Sequence, residues 1–330
     1  MAQFGQGTRG LSPRVLVVTG ALDPTADYVL RELGRREIPF WRTDLADFPQ
    51  DSTVQAELRP DGVWRGRLHD QRHGVNLDEI GAVWWRKPLP FRFADGMSEA
   101  EERFALSQAK RAFAGLLGAK TDVVWVNRPE RNADCTKPVQ LTAAAEAGLA
   151  VPDTLITNDP AAVRPFAEKH HGHIITKVLG GIVHTEDGKR SQIYTSRVEP
   201  EQWDDPRIAL TAHLFQREIT DKAYEVRLTV VGDQLFPVAI HAPVGPGRLD
   251  WRRDSPHLSY TDVTLPSAVG SGVRQMMRRL GLTFAAVDFI VDSQGVHWLV
   301  DVNPGGRWAW IELTRSAITN ALADLLEKGA

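Results

Sequence analysis

Ala286-Val-Asp288-Phe-Ile-Val-Asp292, a turn at Ser293-Gln-Gly295, and then Trp298-Leu-Val-Asp301-Val-Asn303-Pro-Gly-Gly306 read as two β-strands folded back on each other. Adjacent strands of this kind place Asp288 beside Asp301 and Asn303. Asp301 and Asn303 stand two apart, so their side chains share one face of the strand. Three oxygen donors with no His or Cys among them suit Mg²⁺ rather than zinc. Mg²⁺ held by few protein ligands completes its shell with water and substrate phosphates, so a nucleotide is implied. On this pattern alone, carboxylates solvated at a sheet edge are an equal alternative.

The basic residues upstream point the same way. Lys177 sits inside the apolar run His173-Ile-Ile-Thr-Lys-Val-Leu179, an expensive position unless its ammonium meets an anion. Arg227 lies in Tyr224-Glu225-Val226-Arg227-Leu-Thr-Val-Val231 and faces where Glu225 faces. Arg252 follows a Pro/Gly loop in Asp250-Trp-Arg252. A guanidinium is a planar fork that holds two phosphate oxygens at once. Taken singly, each of these cations is better explained by a structural ion pair. Gly180-Gly181 needs only turn geometry, although in a phosphate site such a loop folds over the triphosphate and excludes water.

Working outward, the chain divides into residues 1–126, 127–213 and 214–330. The first segment opens with Arg14-Val-Leu-Val-Val-Thr-Gly20, a buried strand, then Asp23-Pro24 as helix cap and first turn, then a strand at 38–42. This order predicts a right-handed parallel unit. A hairpin is predicted around Pro60-Asp61-Gly62, a strand at 82–88, a helix at 98–117, and a closing strand at Val123-Val-Trp-Val-Asn127. In the second segment Thr136 is placed to cap a helix opened by Lys137-Pro138, and strands at 173–179 and 191–198 flank the Gly loop. The third is strand-rich from Leu214 onward, with helices at 268–280 and 311–327. Trp84, Trp85 and Trp125 read as core, Trp308 and Trp310 as pocket lining, and His170-His171 as surface residues at a helix end.

Composition removes several classes. With 330 residues, 42% hydrophobic and 25% charged, the chain is ordinary globular protein. The single cysteine, Cys135, leaves no disulfide framework and no cysteine zinc site, and points to the cytoplasm. Apolar runs are of strand length, so a membrane span is not expected. Residues 1–13 read as a Gly-rich polar leader rather than a signal peptide. The net charge of −3 offers no electrostatic footprint for nucleic acid. No Walker A motif or G-x-G-x-x-G is present, and no Ser or Cys has a His/Asp context for nucleophilic catalysis.

The order of these features resembles the ATP-grasp ligases over nearly the whole chain. Within them it resembles the graspetide (microviridin-type) maturases, which close side-chain ester or amide rings in ribosomally made peptides. The local matches are Trp84-Trp-Arg-Lys-Pro88, Val124-Trp-Val-Asn-Arg-Pro129, Lys137-Pro-Val-Gln-Leu141, Pro152-Asp-Thr-Leu-Ile-Thr-Asn158, Asp250-Trp-Arg252 and the Asn303-Pro stretch ending in Trp308. The resemblance implies an α/β, three-domain ATP-grasp fold: an N-terminal parallel-sheet pre-ATP-grasp domain (1–126), a central lobe (127–213), and a C-terminal lobe with the metal site (214–330).

The same resemblance implies roles. Lys137 and Lys177 would contact ATP phosphates, with Gly180 and Gly181 in the covering loop. Gln216, Arg217, Glu218 and Ile219 would form the hinge, the backbone of the last three pairing with the adenine edge. Arg227 and Arg252 would hold the γ-phosphate and the acyl phosphate that replaces it, with Lys177 among the catalytic residues. Asp288, Asp301 and Asn303 would bind Mg²⁺, although family members usually carry Glu where Asp301 stands. The implied reaction activates Asp or Glu side chains of a precursor peptide with ATP and closes rings with Ser/Thr or Lys. The implied partner is that peptide, leader and core, and members of the family are often homodimers. Two other readings stand beside it: a ligase that adds free amino acids to a peptide or protein terminus, of the glutamate-ligase type, and a non-catalytic nucleotide-binding protein.

Overall fold

A computed structural model describes residues 13–180, 183–186, 189–243 and 245–330, with the backbone alone at 183–186, 189–192, 246, 254 and 255. The first segment builds a four-stranded parallel sheet in the order Phe40–Thr43, Val15–Thr19, Ala82–Lys87, Val124–Val126. Helix Pro24–Arg35 connects the first two strands in sequence. Asp23 caps it by accepting from the Ala26 amide, and Ala26, Val29 and Leu33 bury its inner face. The expected hairpin forms between Thr53–Leu58 and Trp64–His69, with Gly62 at φ +80° in its turn, and Gly74–Asn76 adds a third strand. Helix Glu99–Gly118 carries a capping box from Ser98 and Glu101.

The central lobe holds a four-stranded antiparallel sheet in the order Ser196–Arg197, Ile174–Lys177, His213–Arg217, Thr154–Thr157. The strand expected over 191–198 is split. Its first part pairs as Lys189–Gln192 with Val183–Glu186 in a separate hairpin, and only Ser196–Arg197 joins the sheet. The C-terminal lobe is a five-stranded antiparallel sheet in the order Ser259–Asp262, Gln234–His241, Lys222–Val231, Phe284–Asp292, His297–Asn303. Alternation sorts its two faces. Val226, Leu228, Val230, Ala285, Val287 and Phe289 pack beneath helix Ser267–Leu280, and Arg227 and Asp288 occupy the opposite face.

Packing moves two of the expected boundaries. His213–Arg217 pairs with Ile174–Lys177, so the division at 213/214 falls within a strand of the central sheet, and the chain crosses between sheets at residues 218–221. Helix Lys137–Glu146, assigned by sequence to the central lobe, buries Ala143 and Ala144 in the core of the C-terminal sheet. Its expected cap is also incomplete, because Thr136 occupies the position without a side-chain hydrogen bond. Helix Glu312–Glu327 packs Ile318, Leu322 and Leu326 against Val15, Val17 and Ala82 of the first sheet. Trp308 lies in that same core at 1% exposure, beside Tyr28, rather than on the wall of the cleft between the lobes. His170 is not a surface group either, since its side chain is 7% exposed and edge-on to Phe166.

Asn127 joins the segments at one point. Its Oδ1 accepts from the amides of Thr283 and Phe284, and its Nδ2 donates to the carbonyls of Phe284 and Pro304. Asn127→Ala leaves several buried backbone groups without partners, each costing about 1–3 kcal/mol. We expect urea denaturation of that variant to show unfolding free energy reduced by about 3 kcal/mol or more, with Asn127→Asp recovering the two amide contacts and part of the loss.

Candidate active site

The central and C-terminal sheets enclose a cavity of about 1000 Å³. Lys137, Lys177, Gly180, Gln216, Arg217, Glu218, Ile219, Arg252, Asp288, Asp301 and Asn303 all line it. Sequence-distant candidates thus converge on one cleft. Arg227 stands behind it, beneath Asp288, and Gly181 lies outside the described residues.

The floor is a row of charges set by strand register. Arg227 is paired with Asp288 across one strand boundary, and Asp288 with Asp301 across the next. Arg227 Nη1 donates to Asp288 Oδ1 at 2.7 Å, and Arg252 Nη2 donates to Asp288 Oδ2 at 2.8 Å. Asp301 is held by Lys137, and Arg252 stands 3.9 Å from its other oxygen. Burial alone would raise the Asp301 carboxyl, but Lys137, Lys177 and Arg252 hold it below its ordinary value. Arg252 responds in the opposite sense: burial lowers it, and Asp288, Asp250 and Asp301 together raise it above the usual arginine range. Asp250 is fixed in turn by the amides of Arg252 and Thr195.

A β-bulge explains how Asp301 comes to face the cleft. Phe289 pairs with Leu299 but Asp288 pairs with Asp301, so Val300 is an additional residue. Leu299 and Val302 both point into the core. Without the bulge, Asp301 would share the face of Leu299. Val300 also offers its carbonyl to Lys177, whose Nζ donates to it at 2.9 Å. Burial, and then the neighbouring Lys137, bring the Lys177 ammonium down to about 7.

A second bulge, at Ala223, turns Lys222 to the face of Glu225, where the two form an ion pair of 2.8 Å on the cavity wall. Burial pushes Glu225 up to about 7 against the pull of Lys222. The sequence reading gave this pair no role, because residues three apart on a regular strand face opposite ways.

The hinge is narrower than expected. The amides of Arg217 and Glu218 already donate to the carbonyls of Asp153 and His173 at 2.9 Å each. Of the three amides expected to meet adenine, only that of Ile219 has no bond among the described residues. The Glu218 side chain forms a two-pronged pair with Arg197, Gln216 Nε2 donates to Thr154, and Arg217 lies over the Trp298 ring at 4.5 Å.

The donor set fits a hard cation. Among the described residues no three His, Cys, Asp or Glu side chains converge as a metal cluster. A metal here would be held by Asp288, Asp301 and the exposed Asn303 amide, with the remaining positions for water and phosphate, as Mg²⁺ prefers. Lys137, Arg227 and Arg252 now supply the positive charge that these carboxylates require.

Comparison with known proteins gives the following. Residues 14–133 match the family model of the MvdD pre-ATP grasp domain. The chain is similar to the macrocyclase MdnC bound with precursor peptide MdnA from Microcystis aeruginosa MRC, at 28% identity and TM-score 0.82, covering 96% of this chain and 100% of that one. It is also similar to a RiPP-associated ATP-grasp ligase from Chryseobacterium gregarium in complex with ADP and a leader and core peptide, at 22% identity and TM-score 0.86, covering 96% and 97%. A third similar structure is the ATP-grasp ligase PsnB with a phosphomimetic variant of its minimal precursor, Mg and ADP, at 23% identity and TM-score 0.75, covering 97% and 99%. No curated protein matches. No helix among the described residues is long and apolar enough to cross a membrane.

Two outcomes follow from the charges. A triphosphate bound beside Lys177 would favour its ammonium, so nucleotide binding at about pH 8.5 is expected to take up close to one proton, the uptake fading below the free value of about 7. Calorimetry in buffers of different ionisation enthalpy reads this directly, and Lys177→Met removes it. Asp288→Ala leaves buried Arg227 without its partner and lowers stability by about 3–5 kcal/mol. Asp288→Asn keeps one of the two acceptor oxygens but not the charge, so it is expected to lose less stability than Asp288→Ala, and its activity is read at a temperature where its measured unfolding curve shows it folded.

Proposed function

We propose that this chain, an ATP-grasp ligase of the graspetide maturase family, activates Asp or Glu side chains of a ribosomally made precursor peptide and closes them onto Ser/Thr or Lys side chains of the same peptide. The observation that carries this reading is the Asp288–Asp301 pair on the floor of an inter-lobe cleft, faced by Lys137, Lys177 and Arg252. That floor has the charge pattern needed to hold a triphosphate and a divalent cation. The likeness to MdnC, a macrocyclase bound with its precursor, supports a peptide as the acceptor.

The chemistry has two steps. A carboxylate oxygen of the peptide attacks the γ-phosphorus of ATP, the bond to the β-phosphate oxygen breaks, and ADP departs. A hydroxyl or amine of the same peptide then attacks the acyl carbon, loses its proton, and inorganic phosphate leaves. Lys137 and Lys177 bind the phosphates, and Ile219 offers its amide to the adenine edge. Arg252 stabilises the charge on the transferring phosphoryl group and the acyl phosphate. Arg227 acts from behind Asp288, orienting it rather than touching phosphate. Asp288, Asp301 and Asn303 would hold Mg²⁺, which neutralises phosphate charge and steers the phosphoryl group in line. Gly180, on the cavity wall, would help to keep water from the acyl phosphate. We place the reaction in the cytoplasm, where the single buried thiol of Cys135 remains reduced.

The test is intact-mass analysis of the precursor after incubation with the protein, ATP and Mg²⁺. Loss of one water per ring, with one ADP formed for each, is the expected outcome, and Asp288→Asn and Arg252→Ala should each reduce turnover by at least about a hundredfold. A gain of amino-acid mass would instead identify a peptide-extending ligase. ATP binding without any mass change would identify a nucleotide-binding protein.

A further inference from the structure

The turn that follows the carboxylate strand is gripped through its backbone. Four successive carbonyls accept hydrogen bonds from side chains of other elements. Pro304 accepts from Asn127 at 3.3 Å, Gly305 from Arg86 at 2.7 Å, Gly306 from Arg86 at 3.3 Å, and Arg307 from Arg227 at 3.0 Å. Behind Gly306 there is no room, since a Cβ there would lie 2.3 Å from that of Ala286. At Gly305, by contrast, a side-chain carbon would fit at ordinary van der Waals contact. The nearest atoms to a Cβ on that residue are the Arg86 carbonyl, Asn303 Oδ1 and Lys87 Cε, none closer than 3.8 Å.

Two exposed cations flank this turn: Lys87, at the end of a strand of the first sheet with its Cε beside Gly305, and Arg307, at the end of the turn. Neither side chain makes a hydrogen bond or ion pair among the described residues. The nearby carboxylate, Asp23, is already engaged by the Thr19 hydroxyl, the Ala26 amide and Arg86. Lys87 keeps solvent access, yet partial burial and then the charges of Arg86 and Arg307 draw its ammonium down to about 8. Two exposed cations about one backbone turn, neither engaged by a protein anion, mark a place for an anion from outside. The nucleotide phosphates have their own cations, Lys137 and Lys177, deeper in the cleft. Asn303 and Pro304 line the cleft, and Lys87 Cε and Asn303 Oδ1 both lie beside Gly305, so the turn that carries Arg307 continues directly from the cleft wall.

We propose that Lys87 and Arg307 form a carboxylate subsite that receives acidic side chains of the core peptide as they approach the cleft, with the first domain contributing half of it. This rests on the macrocyclase reading. Asp- and Glu-bearing segments fit it by charge, and the gripped turn keeps the two cations in register with Asn303.

The test measures fluorescence anisotropy of a labelled Thr/Glu/Asp-rich peptide and of its Gln/Asn counterpart, with ADP and Mg²⁺ present. Wild type, Lys87→Ala, Arg307→Ala, the double variant and Lys87→Arg are compared. Both positions are exposed, and nucleotide affinity within twofold of wild type verifies each fold. The expected result is at least tenfold preference of wild type for the acidic peptide, lost in the double variant and largely kept in Lys87→Arg. If wild type prefers the acidic peptide and the double variant does so equally, the subsite is overturned while the macrocyclase reading stands. If wild type shows no preference, the subsite is also overturned. Water loss from the precursor then decides separately whether the macrocyclase reading falls with it.

Discussion

Asp288 carries one negative charge between two guanidiniums, in the interior of a sheet whose other face is apolar. Neither Arg227 nor Asp288 would be tolerated there alone, because an unpaired buried charge is costly to desolvate. Register satisfies both at once: the two residues are directly opposite on neighbouring strands, and Arg252 completes the arrangement from the turn that follows Asp250. The rest of the floor follows from that row. Asp301 lies opposite Asp288, Lys137 reaches Asp301 from a helix packed beneath the same sheet, and Lys177 arrives from the other lobe onto the carbonyl of Val300. The cleft is thus a set of mutually dependent charges and not a collection of separate binding groups.

Much of this was legible before any coordinates. Alternation in 224–231 separates Val226, Leu228 and Val230 from Glu225 and Arg227, and the sheet keeps that division. The spacing of Asp301 and Asn303 puts both on one face, as found. Side-chain period does not reveal an inserted residue, however. The bulge at Val300 aims Asp301 into the cleft with Leu299 and Val302 both inward, and the bulge at Ala223 brings Lys222 to Glu225. Both depend on pairing with Phe284–Asp292, which local sequence does not encode.

The division at 213/214 and the placing of helix Lys137–Glu146 part from the packing for a related reason. Chain order assigns Lys137–Glu146 to the central lobe and His213–Arg217 to the C-terminal one, but burial of Ala143 and Ala144 and pairing with Ile174–Lys177 decide otherwise. Trp308 was read as pocket lining from its nearness to the carboxylate strand. It is instead part of the core that Glu312–Glu327 forms with the first sheet, a contact across the whole length of the chain. Tertiary packing overrides sequence proximity in each case.

Arg86 has a consequence for how this molecule can change. It belongs to the first sheet, is almost wholly buried, and ends on the Gly305 and Gly306 carbonyls, two and three residues beyond Asn303. An N-terminal domain of this kind looks like a detachable module, free to be exchanged for another with different peptide preferences. Exchange would carry away the guanidinium that steadies the end of the carboxylate strand. A replacement domain would have to bring its own arginine to that turn for the carboxylate strand to end as it does here.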